Sequence, residues 1–226
     1  MRRISGFILI REIPLLSQKH SVAPQRTESL ASSPNKTSDV LVSQPFPPTM
    51  RFSSFATAAM ALTSIASAKL TWRLEKADNP TKDQADAYEK ISAAMTGAVN
   101  RYTRITDACK DLNVSYSPGV PTAEASLEGN IWFGSDRVYM TERVALHEIA
   151  HTLGVGTTDG FHELCESGNW TTALPMLQCW DGEDAKINCN DWHFWPYGLN
   201  YEEEWSEEAA DKHCKLVQAM RNDGMV

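Results

Sequence analysis

The 226-residue chain contains no C-x-x-C pair, no internal repeat, no cluster of basic residues interleaved with aromatics, and no apolar run near twenty residues. Without a C-x-x-C pair, a cysteine-based zinc site has no sequence support. Without a repeat, a lectin-like carbohydrate-binding module rests only on the aromatic-rich C-terminal segment. An apolar run shorter than the roughly 20 residues a spanning helix needs argues against membrane integration. Basic residues are also scarce where they would matter. Seven of the 21 Lys/Arg and three of the 29 Asp/Glu precede position 69, leaving 14 basic against 26 acidic residues, a balance of about −12. Such a surface repels phosphate backbones, so nucleic acid is excluded as a partner class.

What is present begins at Met50-Arg51. An apolar stretch from Phe52 to Ile65 follows and ends in Ala66-Ser67-Ala68. A positive residue, a short apolar core and a small-x-small ending describe a secretory signal over 50–68, with cleavage after Ala68. Residues 1–49, rich in Ser, Pro and Gln, then read as a non-native, disordered upstream extension, and residues 69–226 as one domain. All five cysteines (Cys109, Cys165, Cys179, Cys189, Cys214) follow the cleavage point, which suits an oxidising compartment. Their odd number predicts two disulfides and one free thiol, with no pairing readable from spacing. Two glycosylation sequons, at Asn113 and Asn169, fit an exported chain.

Leu70-Thr71-Trp72-Arg73-Leu74 alternates like a strand. After Asn79-Pro80, a helix carries Tyr88, Ile91, Met95, Val99 and Tyr102 on one face. Val114 and Tyr116 predict a second strand and Ile131-Trp132-Phe133 a third. A buried helix should open between Ser135 and Thr141 and stop at Gly154. The Glu-rich stretch from Tyr201 to Asp211 leads into a last helix bearing Leu216, Val217 and Met220 and presents a solvated acidic face.

The predicted buried helix carries His147-Glu148-Ile149-Ala150-His151. Residues four apart project from one helix face about one turn apart, so both imidazoles can reach one tetrahedral zinc ion. Glu148, on the flank, can reach a water without ligating the metal and act as general base in carbonyl hydrolysis. A catalytic zinc takes a third protein ligand. In the extended metzincin pattern that ligand lies six residues after the second histidine, where this chain has Thr157, and only Met176 is available for a Met-turn. Asp159 and His162 on the following loop, and His193 in an aromatic segment held by Pro196, are the candidates; we favour His193. Tyr197 is a candidate second donor to the transition-state oxyanion. Trp132 and Phe133 are expected on an edge strand that pairs with an extended substrate.

The segments HEIAHTLGVGTT at 147–158 and HFWPYGLNY at 193–201 resemble a group of small secreted zincin-type proteins of fungi and bacteria, some fused to ricin-type lectin modules. The resemblance spans most of residues 128–220. It implies an α+β, zincin-like metallopeptidase domain with a small mixed sheet, an active-site helix and a loop-rich helical C-terminal half. It further implies His147, His151 and His193 as Zn2+ ligands and Glu148 as base. The expected function is a secreted zinc endopeptidase acting on peptide or protein substrates. The alternative is a catalytically silent secreted binding protein or effector on the same scaffold, which has no chemical need for Glu148.

Overall fold

A computed structural model describes residues 69–226. The expected signal over 50–68 and the extension over 1–49 lie outside the described residues. The protein is α+β, with a small mixed sheet and, among the described residues, five α-helices. No helix among them is long and apolar enough to cross a membrane.

Strand β1 (Thr71–Leu74) leads to helix α1 (Lys82–Ile105). Thr81 and Gln84 open α1 with a reciprocal capping box: the Gln84 N–H donates to Thr81 Oγ1 at 3.2 Å and the Thr81 N–H to Gln84 Oε1 at 2.9 Å. Tyr88, Ile91, Met95, Val99 and Tyr102 are all buried, as their spacing predicts. The chain returns through β2 (Asp111–Tyr116), β3 (Ala123–Ala125) and β4 (Asn130–Phe133). Strand order is β1-β2-β4-β3, parallel except that β3 runs antiparallel to β4.

This order corrects the expectation for Trp132 and Phe133. They lie on β4, an interior strand, with Phe133 fully buried; the edge beside it is β3, Ala123-Glu124-Ala125, and β1 is the other edge. Three residues with no β-branched or aromatic side chain carry almost no strand signal of their own. β3 exists because β4 supplies a ladder for it.

Helix α2 (Glu142–Thr152) is capped by Thr141, and every residue from Arg143 to Thr152 is buried. It packs against α1 and against β3 and β4 of the sheet, its Leu146 and Ile149 joining the core that contains Val114, Ile131 and Phe133. The second half is more regular than expected. Helices α3 (Asp159–Ser167) and α4 (Ala173–Asp181) precede a short hairpin of β5 (Asn188–Cys189) and β6 (Phe194–Trp195), and α5 (Glu207–Asn222) closes the fold. Glu207 and Glu208 on its first turn are solvated, as expected.

The cysteines differ from expectation. One disulfide joins Cys165 to Cys189, while Cys109, Cys179 and the buried Cys214 are free thiols. Of the two sequons, Asn169 is exposed after α3, whereas Asn113 sits within β2 and accepts a hydrogen bond from Arg73 Nε at 2.6 Å.

Candidate metal centre

His147 and His151 project from one side of α2, their ring centroids 4.7 Å apart. His193 joins them from the tip of the β5–β6 hairpin, 5.4 Å and 5.9 Å from the two rings. The hairpin tip is held by Asn190, whose Oδ1 accepts from the backbone N–H groups of Trp192 (2.9 Å) and His193 (2.7 Å). One potential ligand atom from each of the three histidines falls within 4.8 Å of the other two. Tetrahedral zinc with Zn–N of about 2.0–2.1 Å separates ligand nitrogens by about 3.3 Å, so the cluster is close to what one ion requires.

The backbone fixes which nitrogen each ring offers. His147 Nδ1 lies 2.9 Å from the Gly198 carbonyl, and His151 Nδ1 lies 2.9 Å from the Val155 carbonyl. A carbonyl only accepts, so each Nδ1 carries the proton and each Nε2 a lone pair. Those Nε2 atoms are 3.1 Å apart. Two lone pairs facing each other in a buried place repel unless a cation lies between them. Burial, followed by the neighbouring His151 and His193 rings, holds His147 well below the ordinary imidazole range. Burial pushes His151 down to about 4 and also lowers His193. The rings are therefore neutral, the form in which imidazole ligates a metal.

Two glycines allow the hairpin and its following turn to come this close. A Cβ on Gly156 would lie 2.5 Å from the Trp192 carbonyl, and one on Gly198 would lie 2.0 Å from the Phe194 carbonyl. The flanking Tyr197 and Leu199 adopt left-handed φ of 65° and 57°. Conformations of that kind cost about 1–3 kcal/mol each in non-glycine residues. Here they accompany the turn that aims the Gly198 carbonyl at His147.

Glu148 is 1% exposed, and neither carboxylate oxygen has a hydrogen-bond partner. Burial first, then the charge of Glu124, raises its pKa to about 8, opposed by Arg143. Two buried Nε2 lone pairs facing each other, with His193 beside them, are a donor set short of a cation. The residues present thus fit a bound metal ion on their own chemistry.

The other candidates stand elsewhere. Asp159 and His162 lie on α3 rather than on a loop, with the His162 ring edge against Phe161. Neither belongs to the three-histidine cluster. The Tyr197 hydroxyl donates to Asp181 Oδ1 at 2.8 Å and accepts from Lys212 Nζ at 2.9 Å. The Tyr197 side chain lines a separate cavity with Trp195, Pro196 and Glu204.

Next to the histidines is a cavity of about 60 Å³, lined by His147, Glu148 and His193 together with Thr122, Ala123, Tyr139, Arg143, Val144, Asn200 and Tyr201. Arg143 and Asn200 were not singled out from sequence. Arg143 lies four residues before His147, so the helical spacing that pairs the two histidines could have flagged it. Asn200 has no such local signal. Comparison with protein-family models, curated proteins and solved structures finds no match to this chain.

Proposed function

We propose that this protein is a secreted, zinc-dependent metallopeptidase on a zincin-like fold. The observation that carries the reading is the pair of Nε2 lone pairs 3.1 Å apart, each fixed by a carbonyl behind its ring, beside an orphaned buried carboxyl. His147, His151 and His193 would hold the ion. Zinc bound there would supply a Lewis acid for a substrate carbonyl and lower the pKa of a water.

The remaining chemistry belongs to the chain. Glu148 takes a proton from the attacking water as its oxygen bonds to the carbonyl carbon, and passes that proton to the departing amine as the C–N bond breaks. One water is consumed, yielding a carboxyl and an amine. The Gly198 and Val155 carbonyls keep both imidazoles in the ligating tautomer throughout. An extended peptide has a docking edge in β3, the terminal strand on the β4 side of the sheet, whose Ala123 also lines the cavity. The Tyr197 hydroxyl is tied to Asp181 and Lys212, so this mechanism gives it no step. The secretory pattern over 50–68 and the Cys165–Cys189 disulfide support export.

Purified protein should contain about one zinc per chain and cleave an unstructured protein, with a chelator abolishing cleavage. Glu148→Gln should retain the metal and lose roughly 10²–10⁴-fold in rate, the usual contribution of a general base. Undiminished cleavage by Glu148→Gln would overturn the mechanism. Zinc binding with no cleavage by the unmutated protein would favour the silent scaffold instead.

A further inference from the structure

We infer that His213, on the last helix and outside the three-histidine cluster, is a positioning residue for the metal site and sets how tightly that site holds its ion. This rests on the metal-site reading and adds to it a residue that acts through the chain neighbours of the ligands. His213 of α5 is fully buried. Its Nδ1 lies 2.7 Å from the Tyr197 carbonyl, its Nε2 lies 3.2 Å from the Leu146 carbonyl, and its ring stacks on Phe194 with centroids 5.9 Å apart. Each of those residues adjoins a group of the site in sequence. Leu146 precedes His147, Phe194 follows His193, and Tyr197 precedes Gly198, whose carbonyl holds His147 Nδ1. One side chain thus braces α2, the hairpin and the turn after it, from a helix that supplies no ligand.

The turn is where that brace matters. Tyr197 and Leu199 hold left-handed φ, a backbone that persists only where surrounding contacts over-determine it. The successive carbonyls of Tyr197, Gly198 and Leu199 are each engaged by a buried side chain: His213, His147, and Arg143 through Nη1 at 2.8 Å. His147 and Arg143 both stand on α2, so His213 is the one of the three that ties the turn to a different helix. Burial keeps His213 neutral, which leaves it a single N–H. Of the two carbonyls it faces, that of Tyr197 is nearer, so Nδ1–H donates there while Nε2 accepts from the Tyr102 hydroxyl at 3.0 Å. Because a peptide unit is planar, anchoring the Tyr197 carbonyl fixes the plane from which Gly198 departs. Loss of that donor frees the Gly198 carbonyl to turn from His147 and removes the bond that keeps the Nε2 lone pair of that ring aimed at the ion.

Three variants test the inference, each checked for folding by circular dichroism. Zinc affinity is read by chelator competition, and ligand geometry by the visible absorption of the cobalt-loaded protein. His213→Leu should lower zinc affinity roughly 10–100-fold and shift the cobalt spectrum. His213→Asn, whose Nδ2 takes about the place of the imidazole Nδ1 and can donate to the Tyr197 carbonyl, should restore both. His213→Gln, whose amide reaches past that place, should bind zinc at least roughly tenfold more weakly than His213→Asn. If His213→Leu does not fold, the Asn and Gln pair decides. A folded His213→Leu protein with unchanged affinity and spectrum overturns the inference. Equal losses in Asn and Gln, or a His213→Asn protein that does not fold, overturn it too, because His213 then serves packing alone. Failure of the unmutated protein to bind zinc or cobalt removes the metal-site reading and this inference with it.

Discussion

His193 and His162 are separated by the backbone around them. His193 stands at a hairpin tip whose amides are gathered by Asn190, which fixes its ring beside two neutral imidazoles. His162 lies on the half-exposed flank of α3 with its ring edge against Phe161. Loss of a metal's outer hydrogen-bond partner costs 10–100-fold in affinity, and loss of a ligand costs more. His193→Ala should therefore weaken zinc binding by more than about 100-fold in a chelator competition, and His162→Ala should leave it unchanged. Retained affinity in His193→Ala would reject His193 as the third ligand. At this scale His147, Glu148 and His151 were readable from sequence because their geometry is local to one helix. The Val155 and Gly198 carbonyls behind the rings were not, since neither their identity as glycine or valine nor their position encodes where a carbonyl will face.

Among the elements, α5 does more than close the fold. Its His213 is fully buried and reaches three other parts of the molecule. Nδ1 is 2.7 Å from the Tyr197 carbonyl on the turn after His193, Nε2 is 3.0 Å from the Tyr102 hydroxyl of α1 and 3.2 Å from the Leu146 carbonyl of α2, and the ring stacks on Phe194. Nδ1–H donates to Tyr197, so Nε2 accepts from Tyr102. Burial pushes His213 down to about 4 against the raising effect of the two carbonyls, so the folded protein keeps it neutral. The unfolded chain takes up a proton near pH 6.5, and the folded chain does so only near 4. Stability contributed by this site is therefore present above about pH 6.5 and falls as pH drops towards 4, by roughly 3 kcal/mol. His213→Leu should cost roughly 1–3 kcal/mol at pH 7 by leaving the Tyr197 carbonyl unpaired and the Tyr102 hydroxyl with only its 3.4 Å bond to the Leu146 carbonyl. Urea unfolding should show the difference from the parent shrinking between pH 6.5 and 4; a difference constant with pH would contradict a neutral buried His213. Helices α1, α2 and α5 were legible from apolar periodicity, and β3 was not. Helices α3 and α4 were missed because glycines and polar residues around Thr158 and Thr172 read as loop.

For the molecule as a whole, the Cys165–Cys189 bond ties α3 to the base of the hairpin that presents His193, closing a separation of 24 residues. A loop of that length contributes about 3 kcal/mol through the unfolded chain. The double variant Cys165→Ser/Cys189→Ser should lower unfolding free energy by about that amount in denaturant titration and weaken zinc retention. An unchanged denaturation midpoint would show that the hairpin is held by packing alone. The sequence by itself determined the amphipathic helices, the buried, glycine-ended α2, and the two histidines with their glutamate, because each depends on spacing within a few residues. It also named His193 among three candidates. Only the tertiary structure decided that His193 meets the α2 pair, that β3 forms one edge of the sheet, that one disulfide forms, and that Arg143 and Asn200 share a cavity with the histidines. Those outcomes join residues far apart in the chain, and the burial and backbone hydrogen bonds that bring them together are carried by the whole fold rather than by any local pattern.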